Sequence, residues 1–237
     1  MATRLELMKK LTIGFSILVP LVSSCADRVA PEPPRIRRVV MVHGFLETGK
    51  TFDVLRKRLE KRGVECYIPP LKHSDGRGGL PNLAEHLKQD IDAKFGPDEP
   101  IGIVAFSMGG LVSRHYLQNL GGASRCETLI TVSSPHQGTN AAWCYPTEGV
   151  RQMRPGSQFL AELRETEGML GKMPVASYRT PMDLVILPAS NSIWERADNL
   201  EYPVIMHPLM LSSRPVLEDI ERRLLDPLPE TKNPARR

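Results

Sequence analysis

A serine hydroxyl is a useful nucleophile only when a base can reach it and its own backbone stands clear. The segment IVAFSMGGLVSRHY, residues 103–116, places Ser107 at the end of an apolar run, with Ala105 two positions before it and Gly109 two positions after. Small residues at those offsets are what a sharp strand-to-helix turn requires, here as A-x-S-x-G in place of the usual G-x-S-x-G. A helix starting at Met108 would aim free N–H groups and the positive end of its dipole at the serine. The Met108 N–H is then placed to donate to a developing oxyanion, and Phe45 of His43-Gly44-Phe45 offers a second backbone donor. One such donor is worth about 3 kcal/mol in a transition state.

The elements needed to hold these residues can be read from periodicity. RRVVMV, VECYIP, IGIVAF, CETLITVS, PVASY and LEYPVIM read as strands. TFDVLRKRLEKRG, PNLAEHLKQDIDAKFG, MGGLVSRHYLQNLGG and RPVLEDIERRLL read as helices, and residues 134–173 are less regular. Near-continuous apolar strands alternating with helices imply an α/β fold, a mostly parallel sheet covered on both faces. Such sheets bind ligands at the carboxyl ends of their strands. The residues just beyond those ends include His43, Ser107, His136, Asp183 and His207. Ser107, Asp183 and His207 supply a nucleophile, an acid and a base on one rim. His136 is the rival base, and Glu195 and Asp198 are rival acids. His43 reads as a brace for the loop that carries Phe45, and His115 lies inside the helix after Ser107, facing away. His73 and His86 precede the nucleophile. His73, Ser74 and Asp75 are too close in sequence to reach one another in triad geometry, and SDGRGG reads as a turn.

Together VVMVHGF, AFSMGGLVSRHYL, SSPHQGT and MRPGSQFLAEL resemble the small bacterial lipases and esterases of the α/β-hydrolase superfamily, over about residues 36–226. The resemblance implies Ser107 as nucleophile, Asp183 as acid, His207 as base, and the Phe45 and Met108 N–H groups as the oxyanion hole. The segment after His207, HPLML, departs from relatives in which a small residue follows the histidine. The implied activity is hydrolysis of carboxylic esters through an acyl-enzyme on Ser107, with an acyl ester or lipid as substrate. An acyltransferase or thioesterase would use the same triad. A non-catalytic surface lipoprotein on this fold would be expected to have lost a triad residue, and all three are present. The insertion over about 141–173 is short, so any lid is small or absent. WCYP (143–146), Phe159, Leu160 and Leu163 could wall the site or pack against the sheet.

The chain has 237 residues, 41% hydrophobic and 24% charged, as expected of one globular domain with appendages. Its net charge is +4, and the first 24 residues hold Arg4, Lys9 and Lys10 against Glu6 alone. The remaining body is close to neutral, unlike a nucleic-acid-binding surface. Lys9 and Lys10 precede an apolar run, Leu11 to Val22, that contains Pro20 and falls short of the roughly 20 residues a membrane span needs. Residues 1–24 therefore read as an export signal, starting at Met1 or Met8. VSSC resembles the lipobox of bacterial lipoproteins, which makes Cys25 the expected lipidation site and the protein an exported, membrane-anchored lipoprotein. A plain cleaved signal would instead leave it periplasmic or secreted, and a buried helix or uncleaved anchor is the remaining reading. Residues 25–35 read as a proline-rich tether, 36–226 as the expected hydrolase domain, and 227–237 as a polar, flexible tail. Cys66, Cys126 and Cys144 permit at most one disulfide. With no clustered metal-ligand spacing and no GxGxxG or GxxxxGK, neither a metal site nor a cofactor is expected.

Overall fold

Side chains in a strand alternate between the two sheet faces, so a continuous β-branched run must be covered on both sides. In the computed structural model, which describes residues 34–226, the run RVVMV does this. Val39 and Met41 join one apolar cluster, Val40 and Val42 the other. Six strands follow in chain order: β1 (Arg38–Val42), β2 (Glu65–Tyr67), β3 (Ile101–Phe106), β4 (Cys126–Val132), β5 (Val175–Arg179) and β6 (Asp198–Glu201). They form one sheet in the order β2-β1-β3-β4-β5-β6, with every neighbouring pair parallel. The chain moves out from β1 to β2, returns beside β1 as β3, and then proceeds only one way. The reversal puts the end of β3, and so Ser107, at a topological switch point.

Helices α1 (Asp53–Glu60) and α6 (Arg214–Leu225) cover one face through Leu55, Leu59, Val216, Leu217, Ile220 and Leu224. Helices α2 (Leu80–Phe95), α3 (Met108–Asn119), α4 (Glu148–Gln152) and α5 (Gln158–Glu165) lie on the other side. In α2 the residues Leu80, Leu83, Ala84, Leu87 and Ile91 are all buried, the 3.6-residue stripe of a helix with one apolar face. The α6 carbonyls of Leu224 and Leu225 accept from the Ile36 and Arg35 N–H groups, which ties the end of the last helix to the chain entering β1.

Two expectations are revised. The strand expected over LEYPVIM is confined to Asp198–Glu201, because Pro203 has no N–H for a ladder, and His207–Ser212 is a 3₁₀ turn. The irregular region contains α4 and α5, and Phe159, Leu160 and Leu163 of α5 are buried in the main core, not aligned as a wall of the site. Cys66, Cys126 and Cys144 are free thiols, and burial pushes the first two up to about 12. The expected signal at 1–24, Cys25, nearly all of the expected tether and the expected tail at 227–237 lie outside the described residues. Leu87 of α2 is fully buried in the apolar cluster on that face, and Leu87→Ala is expected to cost roughly 2–5 kcal/mol in denaturant unfolding with little change in slope.

Candidate active site

The turn between β3 and α3 is the centre of the site. Ser107 has φ 54° and ψ −126°, a left-handed conformation unusual for a residue with a side chain. Its N–H donates to the Val132 carbonyl at 2.8 Å, and its own carbonyl accepts from Gly110 at 3.0 Å. The start of α3 is thereby wedged between two strand ends. A methyl group on Gly109 would stand 2.2 Å from the Val42 carbonyl oxygen, and one on Gly110 would stand 2.1 Å from Ser134 Oγ. Neither position has room for a side chain. Met108 begins the helix, so its N–H has no carbonyl a turn earlier to bond. Neither it nor the Phe45 N–H is taken by a turn or loop bond among the described residues.

Asp183 and His207 meet beside this elbow. His207 Nδ1 lies 2.8 Å from Asp183 Oδ2, with both side chains buried. Asp183 Oδ1 accepts from the Val185 and Ile186 N–H groups, each at 2.9 Å. Burial alone would raise the Asp183 carboxyl, but the hydrogen bonds from His207 and the two amides outweigh it and hold the group below its ordinary value. An ionised carboxylate can only accept, so Nδ1 carries the proton and Nε2 is left as the basic nitrogen. The Phe106 ring, one residue before the serine, packs 4.8 Å from the His207 ring and fixes its plane. No hydrogen bond joins Ser107 to His207 among the described residues, a slack common before substrate is bound.

The rival residues belong to other networks. His136 is buried, with Nε2 3.0 Å from Thr131 Oγ1, Nδ1 3.4 Å from Arg114 and its ring against Trp194. Desolvation and the nearby guanidinium lower its pKa well below the ordinary histidine range. Asp198 opens β6 at its amino end, away from the triad rim, and pairs with Arg223, and Glu195 flanks a cleft shared with Arg114 and Trp194. His43 contacts the Gly44 and Pro70 carbonyls, consistent with a brace. Among the described residues no group of three His, Cys, Asp or Glu is arranged to hold a metal ion. Sequence reasoning missed Glu47, whose Oε2 accepts from the Gly44 N–H at 3.0 Å; an acidic residue three positions after a glycine was the signal available.

The depressed Asp183 pKa sets a pH dependence. Its contribution to stability is complete above the ordinary carboxylate value of about 3.9 and is lost as pH falls through the lower folded value. Unfolding free energy measured from pH 6 downward should fall through that acid window, and Asp183→Asn should flatten the slope there.

The profile of the palmitoyl protein thioesterase family matches residues 38–201. The chain is 25% identical over 130 residues to Lysosomal thioesterase PPT2-B of Xenopus laevis, covering 53% of this chain and 43% of that protein, so it spans less than half of that relative's length. Its fold is similar to Bacillus licheniformis lipase BlEst2 in mature form, with a TM-score of 0.62 and 17% identity over 82% of this chain and 94% of that one. It is also similar to Aspergillus fumigatus lipase B, with a TM-score of 0.63 and 15% identity over 74% and 49%. The ydeN gene product of B. subtilis matches with a TM-score of 0.57 and 17% identity over 79% and 98%. The fold is thus that of the α/β-hydrolases, and the extent of the profile match shows that the chain belongs to the palmitoyl protein thioesterase family.

Proposed function

We propose that the protein is a serine hydrolase that cleaves carboxylic esters of fatty acyl chains through an acyl-enzyme on Ser107. The observation that carries this reading is the elbow at Ser107 on the same rim as the buried Asp183–His207 pair. His207 Nε2 takes the hydroxyl proton as Ser107 Oγ attacks the acyl carbonyl. The Phe45 and Met108 N–H groups hold the resulting oxyanion, and Asp183 orients and stabilises the imidazolium. The imidazolium then returns its proton to the departing alcohol as the C–O bond breaks. Water, deprotonated by the same imidazole, attacks the acyl-enzyme, and the free acid leaves as Ser107 regains its hydrogen.

The rim supports an apolar acyl group. Residues 133–146 and 202–213 contain no Asp, Glu, Lys or Arg, and 180–193 contain only the buried Asp183. In and beside those loops Trp143, Leu184, Ile205 and Met206 are exposed, and Leu46 joins them from the loop after β1. Tyr145 packs edge-on to Phe45 at 5.0 Å, which brings the loop after β4 against the loop after β1. An acyl thioester is the second reading, favoured by the family match, since a thiolate leaves from the same tetrahedral intermediate. Against nitrophenyl esters from C2 to C16 and an acyl thioester, Ser107→Ala and His207→Ala should each lose at least about 10³-fold in kcat. Longer chains should be preferred on kcat/KM. Ester hydrolysis undiminished by Ser107→Ala would sink the reading.

We also propose that the protein is exported and held at a membrane by lipid on Cys25, on the strength of Lys9-Lys10, the apolar run and VSSC. Expressed with labelled fatty acid in a bacterium, the wild type should take up label and sediment with membranes. Cys25→Ala should do neither.

A further inference from the structure

Glu47 holds both polar backbone groups of a single residue, Gly44. Its side-chain Oε2 accepts from the Gly44 N–H at 3.0 Å, and its own N–H donates to the Gly44 carbonyl at 3.4 Å. The intervening turn places Leu46 at φ 55°, a conformation a leucine adopts only under outside constraint. The turn is braced from the neighbouring loop as well, where the Ser74 carbonyl accepts from Leu46 at 3.1 Å and Ser74 Oγ donates to the Glu47 carbonyl at 3.4 Å. The Gly44–Phe45 peptide carries the Phe45 N–H, so whatever fixes Gly44 at both ends also fixes the direction of that donor. The clamp lies against the nucleophile: a methyl on Gly44 would stand 3.0 Å from Ser107 Cβ and 3.0 Å from Glu47 Oε2.

Building on the serine hydrolase reading, we propose that Glu47 is the positioning residue of the oxyanion hole, its carboxyl holding Gly44 so that the Phe45 N–H points at the oxyanion of the tetrahedral intermediate. The burial of this carboxyl supports the assignment. Desolvation raises its pKa above the ordinary glutamate value, against the opposing Gly44 hydrogen bond and the nearby His207. An acid kept half-buried with a backbone amide as its hydrogen-bond partner is held there by geometry rather than by an ion pair.

A positioning role predicts a loss in the transition state, not in substrate binding. Glu47→Ala should lower kcat by roughly 10–100-fold, less than the 10²–10³ lost when a donor is removed outright, with KM within about threefold of wild type. An alkylboronic acid, which forms a tetrahedral adduct on the serine, should lose affinity in parallel, while the matching free fatty acid should bind as before. Glu47→Gln, whose amide oxygen can accept the same N–H, should recover kcat to within about fivefold. Thermal unfolding of both variants separates these effects from misfolding. Unchanged kcat and boronate affinity in Glu47→Ala would overturn the proposal, as would a folded Glu47→Gln no better than Glu47→Ala. Failure of the underlying reading would show separately, as activity that survives Ser107→Ala.

Discussion

The structure turns on holding a serine in a backbone conformation that serine disfavours. Positive φ at a residue with a side chain costs of order 1–3 kcal/mol and persists only where its surroundings over-determine it. At Ser107 the determinants are visible. The Val132 carbonyl holds its N–H, Gly110 holds its carbonyl, and α3 is pushed in until Gly109 touches the end of β1 and Gly110 touches the loop after β4. Ser107 does not stand alone. Every non-glycine residue with positive φ among the described residues (Leu46, Leu71, His73, Ser107 and Ser133) lies in the loops that leave β1 to β4 at their carboxyl ends. The strain is collected on one rim, and the sheet, covered by apolar residues on both faces, supplies the rigidity that sustains it.

The same rim resolves a conflict over charge. An apolar mouth disfavours ions, yet the proposed chemistry needs a carboxylate beside an imidazole. Asp183 is buried, but its two oxygens accept three hydrogen bonds, from His207 and from the Val185 and Ile186 amides. Those donors replace the water that burial removed, so the carboxylate keeps its charge where an isolated one would take up a proton. The nearby Glu47 has one backbone amide in place of three donors, and its pKa shifts the other way. Two carboxyl groups in the neighbourhood of one imidazole are thus pushed apart by the number of donors each receives, the means by which one site assigns different tasks to similar side chains.

How much of this was legible in the sequence followed from how local its cause was. The elbow could be read because strand, serine and glycine pair are consecutive, and the small residues report a contact that only their size permits. The helices of the core could be read because Leu83, Leu87 and Ile91 repeat at helical spacing. The last strand reads too long from sequence because Val204, Ile205 and Met206 have the residue types of a strand, while the N–H missing at Pro203 ends the ladder before them. Sequence does not decide whether Phe159, Leu160 and Leu163 wall the site or join the core, since an amphipathic helix does not reveal which partner its apolar stripe will meet. Glu47 went unnoticed because a side-chain bond to a backbone amide three residues away leaves almost no compositional trace.

That contrast explains how the site divides its labour. The groups assigned to the reaction, Ser107, Asp183 and His207, follow three different strands, and the parallel sheet brings them together whatever the sequence between them. Several of the groups that orient them act over short range: Val185 and Ile186 on Asp183, and Glu47 on Gly44. Long-range placement comes from strand register, which is cooperative and tolerates change in any one loop. Fine orientation comes from contacts a few residues long, each of which one substitution can remove. A loop could therefore change its apolar lining, and with it the acyl group that the proposed reaction would accept, while these short clamps hold the reacting atoms in place.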